Sequence, residues 1–95
     1  MTEQQPLDPK RLALVVIDLQ KGIVSVPTEP HGTASVVQNA VRLADACRAR
    51  GAFVVLVHVG PSPDGRDALH PITDPVPPRP PPAPGWDQIV PELGP

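Results

Sequence analysis

A chain of 95 residues with a formal charge of -2 suffices for one small domain, and its scattered lysines and arginines form no clustered basic face of the kind nucleic acid requires. Phe53 and Trp86 are its only aromatic residues, so any core must be aliphatic. No apolar run approaches the roughly 20 residues of a membrane span, the arm MTEQQPLDPKR lacks the apolar stretch of a secretion signal, and the single Cys47 excludes an internal disulfide, so a cytoplasmic protein is expected.

After the polar arm, residues 1–11, the run LALVVI (residues 12–17) is continuous, apolar and rich in β-branched side chains, the pattern of a strand covered on both faces. It runs straight into Asp18, followed by Leu19, Gln20, Lys21 and Gly22. From about Ser35 to Arg50 a helix is predicted. Val36, Val37, Ala40, Val41, Leu43, Ala44 and Cys47 form one apolar stripe, and Gln38, Asn39, Arg42, Asp45, Arg48 and Arg50 form the wet face. Thr33 or Ser35 is placed to cap its start and Gly51 to end it. Residues 52–59, AFVVLVHV, repeat the buried-strand pattern. Strand, helix and strand with a short return make a βαβ unit, whose strands should be parallel and whose crossover right-handed.

The remainder differs in character. Twelve of the sixteen prolines lie between Pro61 and Pro95. Residues 60–85 therefore read as a Pro-rich loop, because each proline removes a backbone donor and resists both helix and sheet. In residues 86–95, Trp86, Ile89, Val90 and Leu93 can form a short apolar helical face interrupted by Pro91. The fold class is α/β, but two parallel strands and one helix cannot cover both faces of a parallel sheet. The expectation is an incomplete domain, either part of a larger α/β fold or a unit that needs a partner.

Ligands of open α/β sheets bind beyond the carboxyl ends of the strands. Asp18 and His58 both fall at that edge and can share a crevice. By strand alternation Asp18 shares a face with Leu14 and Val16, and His58 with Val54 and Leu56. A half-shielded carboxylate there can serve as a general base; equally, Asp18 can cap the following turn or pair with Lys21. His58 reads either as a site residue or as a core histidine with satisfied nitrogens. No His or Asp lies two residues from it, so a metal is not expected there; no cofactor is expected. Cys47 falls on the buried stripe and reads as a small core residue; His31 and His70 lie beside prolines in loops. A dinucleotide site needs a glycine-rich turn after the first strand, whereas this turn has isolated glycines at 22 and 32.

LALVVIDLQKGI (residues 12–23) resembles the opening strand of the isochorismatase-like cysteine hydrolases, among them isochorismatases, nicotinamidases and N-carbamoylsarcosine amidases. In that family an apolar strand ends in Asp, one residue, then Gln or a similar amide. The likeness continues through VVQNAVRLADACRARG (36–51) and AFVVLVHV, and GWDQIVPELGP looks like the loop before the family's next strand. The resemblance covers nearly the whole chain but only the first half of the family domain. It implies a three-layer α/β/α fold around a parallel sheet, a homo-oligomer in the full-length form, and a small-molecule substrate hydrolysed at a C–N amide or related bond. It also implies an Asp, Lys and Cys triad in which Asp18 matches the general base. Gln20, at the family amide, and His58, at the same strand edge, are the candidate substrate-binding residues. Lys21 and Cys47 do not match the family lysine and cysteine, and HVGPSPDG lacks the Asp-x-His pattern of the nicotinamidase metal site. The resemblance thus implies a chain inactive by itself. A different reading is a non-catalytic interaction module that presents PVPPRPPPAPG, with Arg79, to a proline-binding domain.

Overall fold

In chain order, a 3-10 turn at Pro9–Arg11 leads into β1 (Ala13–Ile17), a one-turn helix α1 (Lys21–Val24), the long helix α2 (Thr33–Ala49), β2 (Phe53–Val57) and a final 3-10 turn at Pro91–Leu93. The structure is a computed structural model that describes residues 6–77 and 81–94. β1 and β2 pair in parallel, from Ala13 opposite Phe53 to Ile17 opposite Val57, as the βαβ pattern requires. β1 begins one residue inside its apolar run, and β2 loses Ala52 at its start and His58 and Val59 at its end, where the backbone leaves the ladder.

α2 starts two residues ahead of Ser35. Gly32 occupies the cap position, and the Ser35 hydroxyl donates back to the Gly32 carbonyl at 2.8 Å, so neither Thr33 nor Ser35 caps the helix. The helix ends as the sequence indicates. Gly51 takes φ +78°, its amide donates to Arg48 O, and the Ala52 amide donates to Cys47 O. These two bonds close the last open turn in the glycine-terminated pattern, and the left-handed φ is one that a side chain at position 51 would strain.

Val16, Val37, Ala44, Val90 and Leu93 are buried, with Leu14, Val54 and Leu56 packed around them. One sheet face, α2 and residues 89–93 thus enclose a single aliphatic core. The predicted apolar stripe of α2 is only partly used: Val37 and Ala44 are buried, but Leu43 is 55% exposed. The short C-terminal helical face is a single 3-10 turn, because Pro91 lacks the donor a longer helix would need. Even so it drives Leu93 into the core at 1% exposure.

The opposite sheet face is bare among the described residues. Val15, Ile17, Phe53 and Val55 all stand on it and all are exposed, Phe53 at 76%. The radius of gyration, 17.3 Å, exceeds the roughly 12–13 Å of a closed domain of this length. Residues 60–77 contain no regular element, apart from two successive local turns between Ser62 and Ala68. There Asp67 accepts from the Ser62 amide, and Asp64 accepts from the Ser62 hydroxyl and the Arg66 amide.

Two outcomes follow from this packing. Leu93→Ala should cost about 2–4 kcal/mol in urea unfolding followed by circular dichroism, the range for an emptied aliphatic site; a loss below about 0.5 kcal/mol would mean that residues 89–93 do not close the core. In the turn, donation from the Ser62 hydroxyl to Asp64, and from the Ser62 amide to Asp67, holds both carboxyls below their ordinary 3.8. A lowered folded pKa stabilises the turn above the unfolded value and ceases to do so as pH falls through the folded one. The Ser62 amide proton resonance should therefore be flat from pH 5 to 7 and titrate with a midpoint below 3.8.

Candidate functional site

The carboxyl edge of the sheet is where the chain leaves regular geometry. Asp18 is the one non-glycine described residue with positive φ, at +66°. Aspartate tolerates this left-handed region better than most residues, yet it is strained, and such positions gather at functional sites. The Asp18 amide still donates to Val57 O at 2.9 Å, so its backbone is tied to the end of β2. The turn ends strand alternation at Ile17, so alternation does not decide where the Asp18 carboxyl points. That carboxyl is half-buried, and its Oδ1 is buried without a hydrogen-bond partner. It neither caps α1, whose cap position is Gln20, nor pairs with Lys21, whose ammonium donates to Gln88 Oε1 at 3.1 Å.

Gln20 is fully buried, and its amide is matched to one peptide unit at the far side of the edge. Nε2 donates to Val59 O at 2.9 Å, and Oε1 accepts from the Val59 amide at 3.0 Å. The side chain continues the parallel ladder two residues past the end of β2. Its backbone faces Ile89 in an isolated antiparallel bridge. On either side, Val90 N donates to Leu19 O, Lys21 N to Gln88 O and Gly22 N to Trp86 O. Residues 86–90 are thereby stitched across the edge as a short wall.

Two glycines permit that wall. A Cβ at Gly22 would meet Trp86 Cβ at 2.8 Å, and one at Gly60 would meet Asp87 Oδ2 at 2.9 Å. His58, just beyond β2 and exposed, bonds the Asp87 carbonyl through Nδ1 at 2.6 Å. A carbonyl only accepts, so Nδ1 carries the proton and Nε2 is left to accept when the ring is neutral. His58 is thus neither a core residue nor an isolated surface one: it fastens the wall beside the strand end that carries it.

Sequence reading placed Asp18, Gln20 and His58 at one edge, and the structure brings all three there. It did not find Trp86, Asp87 and Gln88 as the wall, nor Gly22 and Gly60 as the contacts that admit it. The available signal was a glycine at the exit of each strand. Trp86 separates two hollows, one of about 560 Å³ against Lys21, Ile23 and Pro81–Pro84, the other of about 350 Å³ against Val59, Gly60 and Leu69. Asp18 is not among the residues lining either. Cys47 sits at the opposite, amino edge of the sheet, half-buried beside Leu12 and Ala52. Of the Pro-rich segment, residues 81–84 line the larger hollow, while Arg79 lies outside the described residues. Among the described residues no three His, Cys, Asp or Glu side chains converge to hold a metal ion, and no helix is long and apolar enough to cross a membrane.

The family model described as the isochorismatase domain matches residues 12–95. An uncharacterized isochorismatase family protein of Bacillus subtilis, YwoC, is 43% identical over 93% of this chain and 45% of its own length. A second, YecD of Escherichia coli O157:H7, is 47% identical over 75% of this chain and 38% of its own length. The solved structure of an isochorismatase family protein from Burkholderia thailandensis superposes with a TM-score of 0.78 and 47% identity, covering 93% of this chain and 46% of that one. The chain spans less than half the length of each of these relatives. A parallel βαβ core, an aspartate at the end of its first strand and a domain match from residue 12 to residue 95 together establish that this chain belongs to the isochorismatase family.

Proposed function

We propose that this chain supplies the general-base side of an isochorismatase-type hydrolytic site, acting on a C–N amide or related bond of a small molecule, with Asp18 as the base. One observation carries the reading: Asp18 holds a left-handed backbone and a buried, unpartnered carboxyl oxygen at the carboxyl end of β1. As base, the Asp18 carboxylate takes the proton of a cysteine thiol. The thiolate attacks the carbonyl carbon, and the proton passes to the departing amine as the C–N bond breaks. Water then releases the acyl group and restores the thiol. Backbone amides near the cysteine stabilise the oxyanion.

The cysteine and the lysine of that scheme are contributed by a part of the family domain that these 95 residues do not match. Cys47 lies at the wrong edge of the sheet, and the Lys21 ammonium is engaged by Gln88. We therefore read residues 1–95 as the N-terminal part of the domain, without turnover of its own. Gln20, buried and bonded through both amide atoms, serves by fixing the turn from which Asp18 rises rather than by touching substrate, and exposed His58 keeps Nε2 available beside it. Val59 bonding through both polar atoms of the Gln20 amide supports a positioning role.

Joined to the unmatched portion of the Bacillus subtilis relative as one polypeptide, the chain should gain hydrolytic activity toward amides such as nicotinamide or N-carbamoyl amines. Asp18→Asn should then lower kcat about 10²–10⁴-fold. Retention of full kcat by that variant, or turnover by the 95-residue chain alone, overturns the assignment. In the isolated chain Gln20→Leu leaves the Val59 amide and carbonyl without their partners. Val59 amide exchange should accelerate, and stability should fall by about 1–3 kcal/mol; unchanged protection at Val59 would show that the clamp is not made.

A further inference from the structure

Of the two hollows that Trp86 divides, the larger has a lining that the proposed chemistry does not use. This chain builds both of its sides. α1 gives Lys21 and Ile23, the returning segment gives Pro81, Pro82, Pro84 and Trp86, and the Gly22 amide ties the two together at Trp86 O, 2.8 Å away. The proline run holds the hollow open. Its fixed φ angles leave it little freedom to fold inward, so it stands off α1 rather than collapsing onto Ile23, which stays 40% exposed. Glycine at position 22 lets the indole seat against α1, since a Cβ there would come within 3.3 Å of Trp86 Cε3. One of only two aromatic side chains in the chain is thus spent on a hollow and not on the core. At about 560 Å³ the hollow lies within the roughly 300–1,000 Å³ of small-molecule sites.

Its polar content is narrow, and that selects the ligand. Among the described residues Lys21 is the only charged one on the lining. The wall's own acid, Asp87, turns its carboxylate toward Gly60, on the other hollow. Lys21 spends one ammonium hydrogen on Gln88 Oε1, and an ammonium carries three. The remaining donors nearby are already used. The Lys21 and Gly22 amides donate to Gln88 O and Trp86 O, and the Ser25 hydroxyl donates to Gly22 O at 2.9 Å. The hollow therefore offers an anion one point charge and no cluster of donors. Phosphate and sulfate are held by several N–H groups at once, whereas a single carboxylate is matched by one ammonium. The indole, the pyrrolidine rings and Ile23 suit a flat apolar body, which an indole face or edge contacts well.

We propose that the hollow between α1 and Pro81–Trp86 binds a small aromatic monocarboxylate, its ring against Trp86 and the prolines and its carboxylate on the Lys21 ammonium. Trp86 supplies the contact with the ring, and Lys21 sets the preference for an acid over a neutral compound of the same shape. Asp18 does not line this hollow. The inference therefore does not rest on Asp18 being a base, and a test that reads binding alone keeps the two apart.

Benzoate is titrated into the isotope-labelled 95-residue chain and followed by amide and indole proton resonances. Benzyl alcohol, with the ring but no charge, and acetate, with the charge but no ring, are titrated alongside. The Trp86 indole N–H and the Gly22 and Ala83 amides should shift saturably with benzoate, with a Kd of about 1 mM or tighter. Benzyl alcohol and acetate should each bind at least about fivefold more weakly. Lys21→Met keeps an apolar stem at an exposed position; it should weaken benzoate about fivefold and erase its advantage over benzyl alcohol. Trp86→Leu should weaken both ring compounds. Because that change also touches the wall, Lys21→Met carries the decision, with unshifted Val59 and Val90 amides showing that the wall is intact. Lys10→Met, at the 3-10 turn before β1, is the control and should bind benzoate as the unaltered chain does. No saturable shift by about 20 mM benzoate, equal binding of benzyl alcohol, or binding indifferent to Lys21→Met overturns the proposal. So do shifts confined to Val59, Gly60 and Leu69, which would place the ligand in the smaller hollow.

Discussion

A parallel sheet has two apolar faces and both must be taken out of water; among the described residues only one is. Everything built into the described residues serves that one face. α2 lies across it, and the chain comes back through Ile89, Val90 and Leu93 to close the gap that the helix leaves. Aliphatic burial of this size stabilises a domain only marginally once the entropy of ordering the backbone is set against it. The long excursion through residues 60–77 adds ordered chain without adding core. The constraint therefore bears on the whole sheet: it requires the wall that returns across the carboxyl edge, and it leaves the far face bare among the described residues.

The carboxyl edge is shaped by a second demand, that peptide groups at a strand end find partners. β2 runs out of ladder at Val57, and Val59 would present an amide and a carbonyl with nothing opposite. A glutamine is the side chain whose terminus copies a peptide unit, one donor and one acceptor side by side, and Gln20 supplies it. Because the Gln20 backbone is also bridged to Ile89, that residue joins three segments far apart in sequence. Asp18 sits two residues before this junction and is bonded to Val57 behind it. A strained dihedral of about 1–3 kcal/mol persists only where its neighbours are over-determined in this way.

What the sequence discloses and what it withholds divide along the same line. The strands, the helix and the helix stop at Gly51 were legible because hydrophobic period and a C-terminal glycine are local signals. Counting layers against apolar runs raised the expectation of an incomplete domain, and among the described residues one sheet face is bare. The left-handed turn at Asp18 was not, since aspartate is equally at home in a cap or a turn. Gln20 was placed at the edge by resemblance, but its partner lies 39 residues away, and no local pattern names Val59. GWDQIVPELGP read as a short helix because Trp86, Ile89, Val90 and Leu93 have helical spacing. In the folded chain the same residues divide between a wall held by bridge hydrogen bonds and a 3-10 turn that buries Leu93, and only tertiary contacts decide that.

The identity of residue 18 bears on whether the edge is a site or only a corner. A backbone at φ +66° would be served at least as well by glycine, which carries no strain there, or by asparagine. Neither would bring an ionisable oxygen into a half-buried position where it has no donor. A carboxylate oxygen taken from water without a hydrogen bond opposes folding, and Lys21, three residues on, donates elsewhere. The fold thus gains nothing from the carboxyl group that a cheaper residue would not provide. Among the described residues nothing bonds that buried oxygen, and it lies at the edge of the sheet beyond which ligands of α/β folds bind.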